Sequence, residues 1–133
     1  MYLIGKEFTF DAAHYLRAED QQATEKLYGK CAKMHGHTYK LHVQLIADKI
    51  PSTGMIINFA NLKQLVQQNI IEKYDHSVLN ETTGIKIPTA ENLVEEIFND
   101  LKVYNTNDIR LYSVKLWETP TSWAEKRIKN ENL

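Results

Sequence analysis

A chain of 133 residues with a formal net charge of −1 has the size of one globular domain. Its basic and acidic residues are interspersed, which excludes the one-signed surface that nucleic acid or an anionic membrane attracts. The single cysteine excludes an internal disulfide, and Met1–Glu7 has no basic segment leading into a long apolar one; a soluble cytoplasmic protein without signal peptide or membrane span is expected.

The first strand is predicted over Leu3 to His14, with Phe8 and Phe10 on one face and Thr9 and Asp11 on the other. The polar stretch from Tyr15 to Met34 exceeds a hairpin turn, and loops of that length are usually functional or partly helical. It is expected to deliver Cys31 beside His35. Alternation resumes from His35 to Ala47, where Tyr39, Leu41, Val43 and Leu45 share the parity of His35 and His37. His42 has the opposite parity and belongs to the other face.

Pro51, Ser52 and Gly54 mark a turn. Asn58 has the chemistry of a helix N-cap, and Phe59, Leu62, Leu65, Val66 and Ile70 follow at helical spacing. The pattern breaks into a loop over Asp75–Asn80. Thr89 then caps a second helix, with Glu91 near the positive end of its dipole and Leu93, Val94, Ile97, Phe98 and Leu101 as its buried stripe. After the polar turn Asn105–Asp108, a third strand is expected over Ile109 to Glu118 and a short fourth over Ser122 to Ile128. With no repeat or linker, residues 1–133 form one domain. The order ββααββ predicts an α+β fold, an antiparallel four-stranded sheet with both helices on one face. Its two open edges favour self-association.

On a strand, residues two apart point the same way, so His35 and His37 project side by side. His14 ends another alternating run and offers a third nitrogen. Three neutral imidazoles with no fourth protein ligand describe a catalytic zinc site with one position left for water or substrate. His-Gly-His alone equally suits a polar turn, and a lone cysteine such as Cys31 is more often a small packed side chain than a reactive one. Asp75-His76 reads either as a solvated pair or as a general acid/base whose tautomer the carboxylate fixes. Glu118, closing a strand between apolar neighbours, has the geometry to accept two parallel hydrogen bonds from an amino-pyrimidine edge.

Six segments together resemble the 6-pyruvoyltetrahydropterin synthase / 6-carboxytetrahydropterin synthase family. They are Phe10–His14, Cys31–His37, Gly54–Phe59, Asp75–Asn80, Pro88–Asn92 and Trp117–Thr119, in the family's order and covering most of the chain. The resemblance implies a tunnelling fold whose subunits join sheet edges into a barrel, a homohexamer built as a dimer of trimers, and active sites between subunits. It implies zinc ligands at His14, His35 and His37, a catalytic Cys31 with the acid/base pair Asp75 and His76, and a pterin anchor at Glu118. Thr89 and Glu91 of the fifth segment are expected among the substrate-binding residues. Position 58, commonly Asp in the family, is Asn58 here, and both residues cap helices well.

The implied substrate is 7,8-dihydroneopterin triphosphate. The chain's short length, its Cys31 spacing and its Trp117–Trp123 ending resemble more closely the 6-carboxytetrahydropterin synthases of the queuosine pathway, which release acetaldehyde and triphosphate. Two alternatives stand beside this reading: triphosphate elimination by a 6-pyruvoyl enzyme, and a non-catalytic zinc- or pterin-binding module.

Overall fold

The computed structural model describes residues 1–129. Two long strands, β1 (Tyr2–His14) and β2 (His35–Ala47), pair antiparallel along their whole length, from Tyr2 opposite Ala47 to His14 opposite His35. The apolar alternation sets this register, because a slip of one residue would turn Phe8, Phe10, Leu41 and Val43 to the outer face. β4 (Ile109–Thr119) pairs with β2, and β5 (Ser122–Arg127) with β4, both antiparallel.

The sheet has five strands in the order β3-β1-β2-β4-β5, where four were expected. The added strand, β3 (Ser77–Val78), lies inside the segment read as a loop and pairs parallel with Ala12 and Ala13 of β1. Two residues are too few to show a periodicity. This strand exists because the edge of β1 offers unpaired backbone groups there.

The long stretch between β1 and β2 is partly helical: α1 (Gln21–Tyr28) runs into a 3₁₀ turn, Gly29–Ala32. Asp20 caps α1 by accepting from the Ala23 amide at 2.7 Å. Asn58 caps α2 (Phe59–Val66) by accepting from the Ala60 amide at 2.8 Å. That helix continues through a π-helical turn, Gln67–Ile71, and a last turn, Glu72–Tyr74. A single helical turn, Leu79–Thr82, follows β3. Thr89 caps α3 (Ala90–Lys102) by accepting from the Asn92 amide at 3.2 Å.

The apolar stripes of α2 and α3 close over one face of the sheet. Leu93 and Ile97 meet Leu41, Val43, Val114 and Leu116 in a core with almost no solvent contact. Burying each such side chain contributes about 1.5–3 kcal/mol. A bulge in β4 at the Gln44/Leu45 step lets Leu111 and Val114 both face inward. The other face is uncovered. There Lys115 lies over the rings of Trp117 and Trp123, at 4.5 and 3.8 Å from their centroids. His42 is on this face as expected, packed over Gly5, where an added Cβ would come within 2.6 Å of its Nε2. Among the described residues no helix is long and apolar enough to cross a membrane.

Candidate active site

The core face of β1 and β2 ends in histidines. His14 and His35 are register partners, and His37 lies opposite Ala12. Their rings stack edge-on at 4.6 to 5.1 Å between centroids, and one ligand nitrogen of each falls within 4.8 Å of the others. Apolar alternation fills the rest of this face with Phe10, Tyr39 and Leu41, so the cluster sits at the rim of the core, with His14 fully buried.

Backbone carbonyls fix the tautomers. His14 Nδ1 lies 2.8 Å from the Pro88 oxygen and His35 Nδ1 lies 2.6 Å from the Lys33 oxygen. A carbonyl only accepts, so each Nδ1 carries the proton and each Nε2 presents a lone pair. Those two Nε2 atoms are 3.1 Å apart. His37 Nε2 is buried without a hydrogen-bond partner. Converging nitrogens of this kind could hold a metal ion. Tetrahedral zinc with nitrogens at about 2.0–2.1 Å places its donors about 3.3 Å apart, close to the 3.1 Å between the His14 and His35 nitrogens. Burial pushes His14 and His37 below the ordinary imidazole value of 6.5, against the upward pull of Glu118 on both and of the Pro88 carbonyl on His14. Both rings are thereby held in the neutral, metal-binding form. The residues present fit a metal ion.

Glu118 reaches this cluster. In the β4–β5 ladder Trp117 pairs with Trp123 and Thr119 with Ser122, leaving Glu118 as the extra residue of a bulge. It keeps the parity of the inward-facing Val114 and Leu116, which turns it to the face that carries the histidines. Here the carboxylate Oε1 stands 3.4 Å from His14 Nε2 and 3.5 Å from His37 Nε2. A cleft of about 500 Å³ opens beside it, walled by His37, Lys40, Trp117 and Pro120. The volume suits a bicyclic heterocycle.

Asp75 and His76 lie on the outer edge of β1. Asp75 Oδ1 accepts from the Asp11 amide at 3.0 Å, and His76 donates its backbone N–H to the Asp11 oxygen at 2.6 Å. His76 Nδ1 then meets Asp75 Oδ2 at 2.9 Å, so the carboxylate orients the imidazole. The Asp11 amide and the His76 ring hold the Asp75 carboxyl below its ordinary range. His76 has φ of 57°, the left-handed region that L residues seldom enter. A cleft of about 540 Å³ is lined by Asp11, His37, Thr38 and His76, and the Thr38 hydroxyl donates to the Asp11 carboxylate beside it.

Cys31 is exposed on the 3₁₀ turn, where its carbonyl accepts from the Leu16 amide at 3.0 Å. Its thiol is not among the donor atoms gathered at the histidines. Thr89 commits its hydroxyl to the cap of α3, and Glu91 is exposed on the first turn; neither lines the cleft beside Glu118. Sequence reasoning missed the carbonyls of Pro88 and Lys33, since a backbone group has no side-chain signature. It also missed Asp11 as a support for Asp75 and His76. That residue was visible in Phe10–His14, but its partners are 64 and 65 positions away.

Residues 3–129 match the family model described as 6-pyruvoyl tetrahydropterin synthase. A protein of Haemophilus influenzae named 6-carboxy-5,6,7,8-tetrahydropterin synthase is 35% identical over 94% of this chain and 98% of its own. The 6-pyruvoyl tetrahydrobiopterin synthase of Pongo abelii is 32% identical over 87% of this chain and 84% of its own. The solved structure of the Caenorhabditis elegans 6-pyruvoyl tetrahydropterin synthase superposes with a TM-score of 0.85 at 27% identity, covering 96% of each chain. With the histidine cluster, the bulged glutamate and the sheet topology in place, the chain belongs to the 6-pyruvoyl tetrahydropterin synthase family of enzymes.

Proposed function

We propose that this protein is a zinc-dependent 6-carboxy-5,6,7,8-tetrahydropterin synthase. It converts 7,8-dihydroneopterin triphosphate to 6-carboxytetrahydropterin, acetaldehyde and triphosphate, in the cytoplasm and within queuosine biosynthesis. The observation that carries the reading is the convergence of three imidazoles, two with tautomers fixed by backbone carbonyls, beside a carboxylate that borders a heterocycle-sized cleft. The name of the 35% identical relative supports the 6-carboxy product.

In this reading Glu118 accepts two hydrogen bonds from the amino group and adjacent ring N–H of the pterin, which fixes the ring in the cleft. Thr89 and Glu91 contribute to substrate binding from the start of α3. His14, His35 and His37 would hold zinc, which supplies Lewis acidity toward the vicinal hydroxyls of the substrate side chain. Cys31, as thiolate, takes a proton from that side chain. His76, with its tautomer set by Asp75, moves the second proton. Within one chain neither Cys31 nor the Asp75–His76 pair is gathered with the histidine cluster. The reading therefore places the active sites between subunits of a homohexamer, a dimer of trimers, in which neighbouring copies bring these groups together across the open sheet edges.

The test is incubation of purified protein with 7,8-dihydroneopterin triphosphate and identification of the pterin product by mass. A 6-carboxy product with equimolar acetaldehyde is expected. A 6-pyruvoyl product without acetaldehyde would establish triphosphate elimination instead, the activity named for the Pongo abelii relative. Bound zinc and pterin without turnover would identify a non-catalytic module.

A further inference from the structure

We propose that Glu118 is a displaceable donor of the metal centre: its carboxylate closes the open position when the cleft is empty, and a ring with two adjacent N–H groups draws it away. The proposal rests on the reading of His14, His35 and His37 as the metal site. It follows from where the protons are. His14 Nδ1 gives its proton to the Pro88 carbonyl, so Nε2 has only a lone pair to present. Yet the ion-pair partners of the Glu118 carboxylate are that Nε2, at 3.4 Å, and His37 Nε2, at 3.5 Å. A carboxylate facing the His14 lone pair is repelled unless the two share a cation, and the buried His37 Nε2 beside it has no hydrogen-bond partner of its own. Both distances are close to the edge of about 3.3 Å expected between donors around tetrahedral zinc.

Together with His37, Glu118 also lines the cleft. Reading an amino-pyrimidine edge occupies both of its oxygens in parallel hydrogen bonds. It therefore serves the metal or the ring, and not both. The metal is consequently open toward the cleft only when a recognised ring is seated there. Binding couplings are reciprocal, so ring and metal must weaken each other's binding. A residue that only anchors the ring gives no such coupling.

The experiment uses the metal-stripped full chain, zinc titrated against a chromophoric chelator, and cobalt as a spectroscopic substitute. The ring probe is unsubstituted pterin, which has the amino-pyrimidine edge without the hydroxylated side chain. Without pterin, Glu118→Ala is expected to bind zinc about tenfold more weakly than wild type, or worse. Its cobalt absorption should differ from the wild-type spectrum. Adding pterin to wild type should lower zinc affinity by about fivefold or more. Glu118→Gln keeps the side-chain shape and should show the same direction of change, which guards against a folding defect in the alanine variant. Equal zinc affinity and identical cobalt spectra in wild type and both variants would overturn the proposal. Tighter zinc binding in the presence of pterin would overturn the displacement. Failure of wild type to take up one metal per chain would instead overturn the underlying metal assignment, a result distinguishable from the first two.

Discussion

The carbonyl of Pro88 accepts the Nδ1 proton of His14 at 2.8 Å, so the residue just before the cap of α3 determines which nitrogen His14 turns toward His35. Through this bond the packing of α3 on the sheet orients the histidine cluster. Outer partners of this kind set ring orientation and ligand basicity in metal sites.

About one zinc per subunit is expected, held by His14, His35 and His37. Replacing any one with Ala removes a third of the protein donors and should leave the site nearly empty after dialysis. Elemental analysis of purified His35→Ala decides the matter: full zinc occupancy would dismiss this ligand set.

Cys31→Ala should keep its fold and its metal while turnover falls by about 10² or more, the usual contribution of a proton-transferring side chain. Because Cys31 is exposed and apart from the donor cluster, its loss leaves no buried cavity. Melting temperature, zinc content and product formation should be measured on the same sample. Loss of zinc would make Cys31 a ligand, and retained activity would make it a bystander.

Asp75 and His76 should behave as one unit. The double alanine variant is expected to be about as slow as His76→Ala alone, since residues that act together are non-additive. Losses that multiply would assign them separate roles.

The Asp75 carboxyl also makes a prediction for stability against pH. Its folded pKa lies below the ordinary value of 3.8, first because the Asp11 amide binds the ionised form and then because His76 does. The ionised group thus stabilises the fold above its ordinary range, and this contribution is lost as pH falls through the lowered value. Melting curves should show Asp75→Asn less stable than wild type at neutral pH, with the difference shrinking below about pH 4. A difference that grows in acid would contradict the assignment.

Glu118→Gln should weaken pterin binding by about tenfold or more. The amide presents a donor where the ring requires an acceptor, and an unpaired buried polar group costs about 1–3 kcal/mol. Zinc content at saturating metal should stay at one per chain, because the three imidazoles remain. Fluorescence titration with pterin is the measurement, and wild-type affinity would place Glu118 outside the pocket.

The long strands, both caps and the histidine cluster were legible because each follows from local chemistry. Alternation put His35 and His37 on the face of Tyr39 and Leu41, and Asn58 and Thr89 occupy the cap positions their side chains favour. β3 was illegible because it depends on the free edge of β1, which belongs to the assembled sheet. Cys31, four positions before His35, is exposed on the 3₁₀ turn with its thiol outside the donor group of the histidines, a placement that distance along the chain does not determine. The inward aim of Glu118 was legible too, since it shares the parity of Val114 and Leu116; its approach to His14 and His37 was not, because that depends on how β4 lies against β1 and β2 in the assembled sheet.

The left-handed backbone of His76 has an entropic consequence. An L residue in that region gives up about 1–2 kcal/mol relative to its preferred conformations. Here the neighbouring contacts to Asp11 hold it without any ligand. The chain therefore settles this conformational cost once, when it folds. Under the proposed role of His76, a substrate would meet an imidazole whose backbone is already set, and none of its binding energy would be drawn off to restrain that group.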